Sequence, residues 1–380
     1  MKKKDKNLNV PNLRFPEFSG EWDNVSLGDI SDITKLAGFE FTQYVQYEDS
    51  GNIIALRGLN CKNGSLDLTD VKYIDNSILE KLTRSKLYVG DILFTYVGTV
   101  GEVAIIEEND RFYLAPNVSR IRVEQGYNPY FIKQLIHTKR FYNKIIFPLI
   151  ATSSQPALSM ENVRKFSLSI PQESEQGKLA EFLNILDQRI STQKKIIEKY
   201  ESLIRGLCEQ LTRQGTKNKA INECLDCHAS TLQESTVSGT GEYPVYGATG
   251  VCGYTNFNDV KADGILIIKD GASVGTTYYA RGSYSHIGTL NRLTARKGVN
   301  LRYVYYCLKV MNFAPYKTGL AIPHIYFKDY GKHRIWCPSY EEQLHIANIL
   351  TQIDDKIHVE KSLLEQLNSQ KRYMLNQLFI

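Results

Sequence analysis

The chain has 380 residues, 42% of them hydrophobic and 23% charged, a composition that fits a soluble protein with two or three cored domains. No apolar run reaches the roughly 20 residues of a membrane span, and the lysines of Met1–Lys6 lead into no apolar stretch, so neither a transmembrane helix nor a secretory signal is expected. The net charge of +5 is concentrated: residues 214–337 carry 14 basic and 8 acidic side chains, whereas 171–213 carry seven of each. Seven scattered cysteines point to reduced thiols and a cytoplasmic setting.

Taken in order, Ile53–Leu56, Asp91–Thr95, Val103–Ile106 and Val118–Val123 are short, β-branched and bounded by Gly, Asn or Asp, which predicts strands. Alternation in the last places Arg120 and Arg122 on one face. A helix is expected over Pro129–Asn143, with the proline in its first turn, followed by the polar loop Ala151–Pro156. From Leu179 to Leu211 the positions Leu179, Leu183, Leu186, Ile190, Gln193, Ile197, Tyr200, Ile204, Leu207 and Leu211 follow an unbroken 4-3 spacing. That 3.5-residue period requires a helix supercoiled on a partner. Arg213–Asn218 reads as a linker. Strands then recur at Gly264–Lys269, Thr276–Tyr279 and Leu290–Ala295, a helix at Leu301–Asn312 and a loop at Gly319–His324. A second seam closes the chain: Ile346, Leu350, Ile353, Ile357, Glu360, Leu364, Leu367, Lys371, Met374 and Leu378.

The second seam repeats the first at an offset of 167, and both turn polar at the same place, Gln193 and Glu360. Pro171, Glu175, Gln176 and Asp187 recur at that offset as Pro338, Glu342, Gln343 and Asp354. Arg120 and Asn128 match Arg292 and Asn300, and the turn Gly98–Gly101 matches Ala272–Gly275. Near the start, Val25 and Asp29 are set against Ile221 and Asp226. The expected fold is therefore α+β: two tandem mixed α/β globular domains and two long helices, divided as 1–170, 171–215, 216–337 and 338–380, each helix being the obvious partner of the other.

Chemical motifs are sparse. Cys224-Leu-Asp-Cys227-His228 has the spacing of covalent haem attachment, but that chemistry needs export, and a zinc site would need a second ligand pair. The glycine turns Gly98–Gly101 and Gly271–Gly275 suit tight strand turns better than a phosphate cradle, and no Gly-x-x-x-x-Gly-Lys-Ser/Thr loop is present. Asn128-Pro129-Tyr130 superficially resembles the Asn-Pro-Pro-Tyr/Phe loop of adenine methyltransferases, without its second proline or a Gly-x-Gly strand end for the methyl donor. The expectation is a binding protein with no catalytic residues and no metal site.

The opening Pro11-Asn-Leu-Arg-Phe-Pro-Glu-Phe18 with Trp22 and Leu27-Gly-Asp-Ile30 resembles the start of type I restriction-modification specificity subunits. Gly90-Asp-Ile-Leu-Phe94, Val97-Gly-Thr-Val-Gly101, Ser153-Ser-Gln-Pro156 before Ile170-Pro171, and the Pro-x-x-x-Glu-Gln lead-in to each long helix extend the resemblance over the whole chain. One departure is that the second unit lacks the opening tryptophan. The resemblance implies two target-recognition domains, each reading half of a split DNA site, and helices packed as an antiparallel coiled coil with a pseudo-twofold internal repeat. It implies partners as well: double-stranded DNA, two methyltransferase subunits and restriction/translocase subunits. The chain itself would be non-catalytic and hold no cofactor, with S-adenosylmethionine, ATP and magnesium in the partner subunits.

Length agrees with a spacer: 33 residues at ~1.5 Å each make roughly 50 Å of helix, or about 15 base pairs at ~3.4 Å. Candidate DNA contacts lie in the glycine turns, at strand ends and in the loops before each long helix: Arg57, Tyr96, Thr99, Ser153, Ser154, Gln155, Lys269, Ser273, His324 and Tyr326. Two other classes fit the same composition. One is a cytoplasmic coiled-coil scaffold whose two heads bind proteins; the other is an enzyme, such as a nuclease, built from scattered acids.

Overall fold

Both heptad seams lie on continuous helices, Glu173–Thr212 and Tyr340–Leu378, in a computed structural model that describes residues 9–151, 156–258, 260–319 and 321–380. Every seam position is buried or half-buried. The chain folds as two units, one containing the chain up to Thr192 with Glu365–Ile380, the other Gln193–Leu364. Each unit therefore holds part of each helix, 173–192 with 365–378 and 193–212 with 340–364. Within each, the beginning of one helix lies with the end of the other, which is the antiparallel arrangement.

The seams serve two partners, where the sequence pointed only to each other. In the first unit Leu179, Leu183 and Leu186 join Trp22, Phe131 and Leu378 in one core. In the second, Ile346, Leu350 and Ile357 join Ile204, Tyr303 and Tyr306. A helix end that must anchor a globular domain cannot give its whole apolar stripe to another helix. The polar positions do meet: Gln193 Nε2 donates to the backbone carbonyl of Glu360 at 3.0 Å and also to its carboxylate.

Each unit carries the same pair of sheets. The four-stranded antiparallel sheet runs Ser31–Lys35, Val118–Val123, Ile92–Thr95, Val103–Ile105 in the first unit. In the second it runs Leu225–Ala229, Leu290–Ala295, Gly264–Ile268, Thr277–Ala280. A three-stranded sheet with one parallel pair lies beside it. Its central strand is Ile54–Leu56 in the first unit and Tyr243–Gly247 in the second. A ribbon joins the start and end of each globular part, Asp23–Ser26 with Ser167–Ile170 and Lys219–Ala220 with Arg334–Ile335.

The ribbons correct the alignment of the repeats. Val25 faces Leu168 as Lys219 faces Ile335, so Val25 corresponds to Lys219 and not to Ile221; at the same offset Asp29 corresponds to Glu223 and not to Asp226. The strands involved are too short and polar to reveal their register in sequence. The expected helix over Pro129–Asn143 stops at Ile136, because Thr138 leaves helical geometry and caps a new turn by accepting from Phe141 N. The Cys224-x-x-Cys227-His228 run is divided between the helix Ile221–Cys224 and the strand Leu225–Ala229, where His228 Nε2 bonds Thr294 Oγ1 at 2.9 Å.

Several resemblance motifs prove to be joints. Arg14 pairs through two nitrogens with the buried carboxylate of Glu175, at 2.7 and 2.6 Å. Asp91, fully buried, accepts both Arg122 Nε and Nη2 at 2.7 Å. Arg120 is buried and bonded to Asp32 and to the carbonyl of Arg84, so neither arginine of that face is a free cation.

Candidate nucleic-acid interface

In the first unit the chain leaves the strand Ile92–Thr95 and turns at Gly98–Gly101. Gly101 has φ +97°, and a Cβ there would lie 2.8 Å from the Tyr142 ring. Its counterpart Gly275 has φ +93° and meets Phe313 at 2.9 Å. The glycines thus let each turn pack on an aromatic ring, and a side chain at either site would be both strained and blocked.

Backbone hydrogen bonds then hold each turn against the loop that precedes the long helix. Gly98 N donates to Pro156 O at 2.9 Å and Leu158 N to Tyr96 O at 2.8 Å. In the second unit Gly271 N donates to Pro323 O and Ile325 N to Lys269 O, both at 2.9 Å. These bonds make Gly98 the counterpart of Gly271 rather than Ala272, the second turn being one residue longer. They also make Tyr96 the counterpart of Lys269, Val97 of Asp270 and Ala157 of His324.

The candidates fall into place unevenly. Arg57 and Thr99 line one cleft of about 430 Å³ with Phe41, Tyr47, Leu59 and Asn117. Among the described residues Arg57 is its one charged lining residue, but Nη2 donates to the carbonyl and Oδ1 of Asp70, both at 2.8 Å, which ties the guanidinium locally. Tyr96, beside the cleft, is buried beneath Lys35, whose Nζ is 5.1 Å from the ring centroid. Burial raises the Tyr96 and Tyr47 phenols above their ordinary range, so both remain neutral donors at physiological pH. Ser153, Ser154 and Gln155 lie outside the described residues.

In the second unit Lys269 and His324 are brought together by the turn-to-loop bonds, and Ser273 is exposed in the turn itself. Tyr326 is exposed with Lys328 Nζ 5.3 Å from its ring centroid. Lys35 and Asp270 escaped the sequence reading. Lys35 ends a strand with one apolar residue at its centre, and Asp270 gains meaning only from the distant His324, whose Nδ1 is 2.7 Å from its Oδ1. Among the described residues no group of three His, Cys, Asp or Glu could hold a metal ion, and no helix is long and apolar enough to cross a membrane.

Fold and site together define a duplicated α+β protein with one turn-and-loop arrangement built twice beside paired long helices. Residues 19–202 and 217–369 match the type I restriction modification DNA specificity domain, and the chain belongs to that family of specificity subunits. The MjaX type I restriction enzyme specificity subunit of Methanocaldococcus jannaschii is 22% identical over 98% of this chain and 96% of its own. The S subunit of a type I restriction-modification system from M. genitalium superposes with a TM-score of 0.71 at 16% identity, over 98% of this chain and 99% of that one. A chain from a structure concerned with complex assembly and conformational transition of the type I R-M system gives 0.53 at 17% identity, over 94% and 97%.

Proposed function

We propose that this subunit reads a bipartite DNA sequence and directs adenine methylation and restriction by the methyltransferase and restriction/translocase subunits it assembles with. The recognition domains are residues 1–170 and 216–337, each reading one half-site. Residues 171–215 and 338–380 are the helices that separate them. The chain is non-catalytic and works in the cytoplasm on duplex DNA, while S-adenosylmethionine, ATP and magnesium act in its partners.

The observation that supports this most is the repeated bonding of glycine turn to pre-helix loop. It ties a turn to a loop in each unit, with Thr99 exposed in the first and Ser273 and Tyr326 in the second, and polar side chains so held are the kind from which base edges are read. Contacts to DNA are assigned to that turn and loop and their neighbourhood: Arg57, Tyr96, Thr99, Ser153, Ser154 and Gln155 in the first domain, Lys269, Ser273, His324 and Tyr326 in the second. The basic excess of residues 214–337 favours the same partner.

The test is to map methylated adenines in DNA exposed to the assembled methyltransferase, before and after replacing residues 216–337 with the matching domain of a relative. One half of the methylated sequence should change and the other persist. A change in both halves, or methylation without sequence preference, would overturn the assignment.

A further inference from the structure

The second unit has a feature the first lacks at the corresponding place. Val97 and Ala157 form an isolated backbone bridge between turn and loop in the first unit; Asp270 and His324 form it in the second. Two hydrocarbon side chains are thus replaced by a carboxylate and an imidazole in hydrogen-bond contact.

His324 is held from several sides. Its N–H donates to Thr318 O at 2.7 Å and its carbonyl accepts from Thr318 N at 2.9 Å. Gly319, at φ +89°, has no room for a Cβ, which would lie 2.4 Å from Ile322 O and 3.3 Å from His324 Cδ2. Alternation of extended backbone sends Ile325 into the core and His324 and Tyr326 to the opposite side. The His324 side chain is 37% exposed and Tyr326 49% exposed.

Asp270 Oδ1 lies 2.7 Å from His324 Nδ1, and the other carboxylate oxygen lies 4.0 Å from Lys269 Nζ. An ionised carboxylate only accepts, so the shared proton sits on Nδ1. In the neutral form of the ring this fixes one tautomer, with the Nε2 lone pair left as an acceptor. In the major groove the donors complementary to such an acceptor are the exocyclic amino groups of adenine N6 and cytosine N4.

We propose that His324 is a base-reading residue of the second recognition domain, that Asp270 is its positioning residue, and that the pair selects adenine or cytosine, the bases with an exocyclic amino group in the major groove. This rests on the DNA-reading function proposed above. Val97 and Ala157 offer neither donor nor acceptor, so the first domain reads its half-site without this device.

The experiment is selection from a randomised duplex library by the complex assembled with methyltransferase subunits, followed by sequencing. His324→Ala and His324→Phe, the latter keeping a ring without a lone pair, should relax preference at one position of the second half-site by roughly 5- to 100-fold. All other positions should be unchanged. Asp270→Ala should relax the same position, and Asp270→Asn, whose amide oxygen still accepts from Nδ1–H, should restore it. A merely structural role would instead lower the bound fraction equally for all sequences, or leave every preference intact, and either result overturns the proposal. Absence of any sequence preference in the wild-type complex would identify the underlying DNA-reading function as the part at fault.

Discussion

His137 closes the helix Pro129–Ile136, its N–H donating to Lys133 O at 3.1 Å, and the hairpin glycine Gly64 sits so close that a Cβ there would lie 3.0 Å from the ring. Burial first, and then the ammonium of Lys133, push the imidazole down to about 4. The folded chain therefore keeps His137 neutral where the unfolded chain, titrating near 6.5, already protonates it. Between those values the unfolded state binds more protons, so stability rises with pH and is lost as pH falls from 6.5 toward 4. The full loss from this one residue is roughly 3 kcal/mol. Urea unfolding of wild type and His137→Asn across that range should give curves that converge at low pH, the variant lacking the penalty. Parallel curves would mean the ring is not the group responsible.

Each long helix is fastened by one glutamine of its Pro-x-x-x-Glu-Gln lead-in. Gln176 Nε2 donates to Pro171 O at 2.9 Å while its Oε1 accepts from Asn128 N at 2.9 Å; Gln343 does the same with Pro338 O and Asn300 N, both at 2.8 Å. Asn128 and Asn300 in turn cap the helices that follow them, accepting from Tyr130 N and Tyr303 N at 3.0 Å. Both glutamines are nearly inaccessible, at 2% and 1% exposure, so water cannot replace them. Gln176→Ala or Gln343→Ala leaves a buried N–H and a carbonyl without partners and should cost about 1–3 kcal/mol per orphaned group. Thermal or urea unfolding of each variant measures this, and a loss below ~0.5 kcal/mol would show the side chain to be dispensable. The recurrence of this motif, the seam and the paired asparagines was legible because each depends on side chains at fixed local spacing. Other elements were not legible for the opposite reason. The strand Leu225–Ala229 is only five residues long and holds none of the β-branched or aromatic Val, Ile, Thr, Tyr, Phe and Trp that mark strands, and Pro244 interrupts the strand Tyr243–Gly247. The bonds from Gly98 N to Pro156 O and from Ile325 N to Lys269 O are backbone to backbone, so no residue type announces them.

At the scale of the molecule, the two long helices are the elements common to both units, each unit holding part of each. Gln193 and Glu360 meet at the centre of the seam, a polar pair that fixes register at some expense of stability. If the site is bipartite as proposed and the helices are its ruler, lengthening both should lengthen the gap between half-sites. One heptad inserted after Gln193 and one immediately before Glu360 keeps that pair in contact and places the inserted segments opposite each other, with the 4-3 spacing unbroken. Seven residues add ~10 Å at ~1.5 Å each. At ~3.4 Å per base pair, the unread gap should grow by about three base pairs while both half-site sequences persist. The competing account is that the methyltransferase subunits fix the spacing and the helices only join the chain. Mapping the methylated sites of the lengthened complex separates the two: an active complex that keeps the original gap would refute the ruler, and a gap longer by three would establish it.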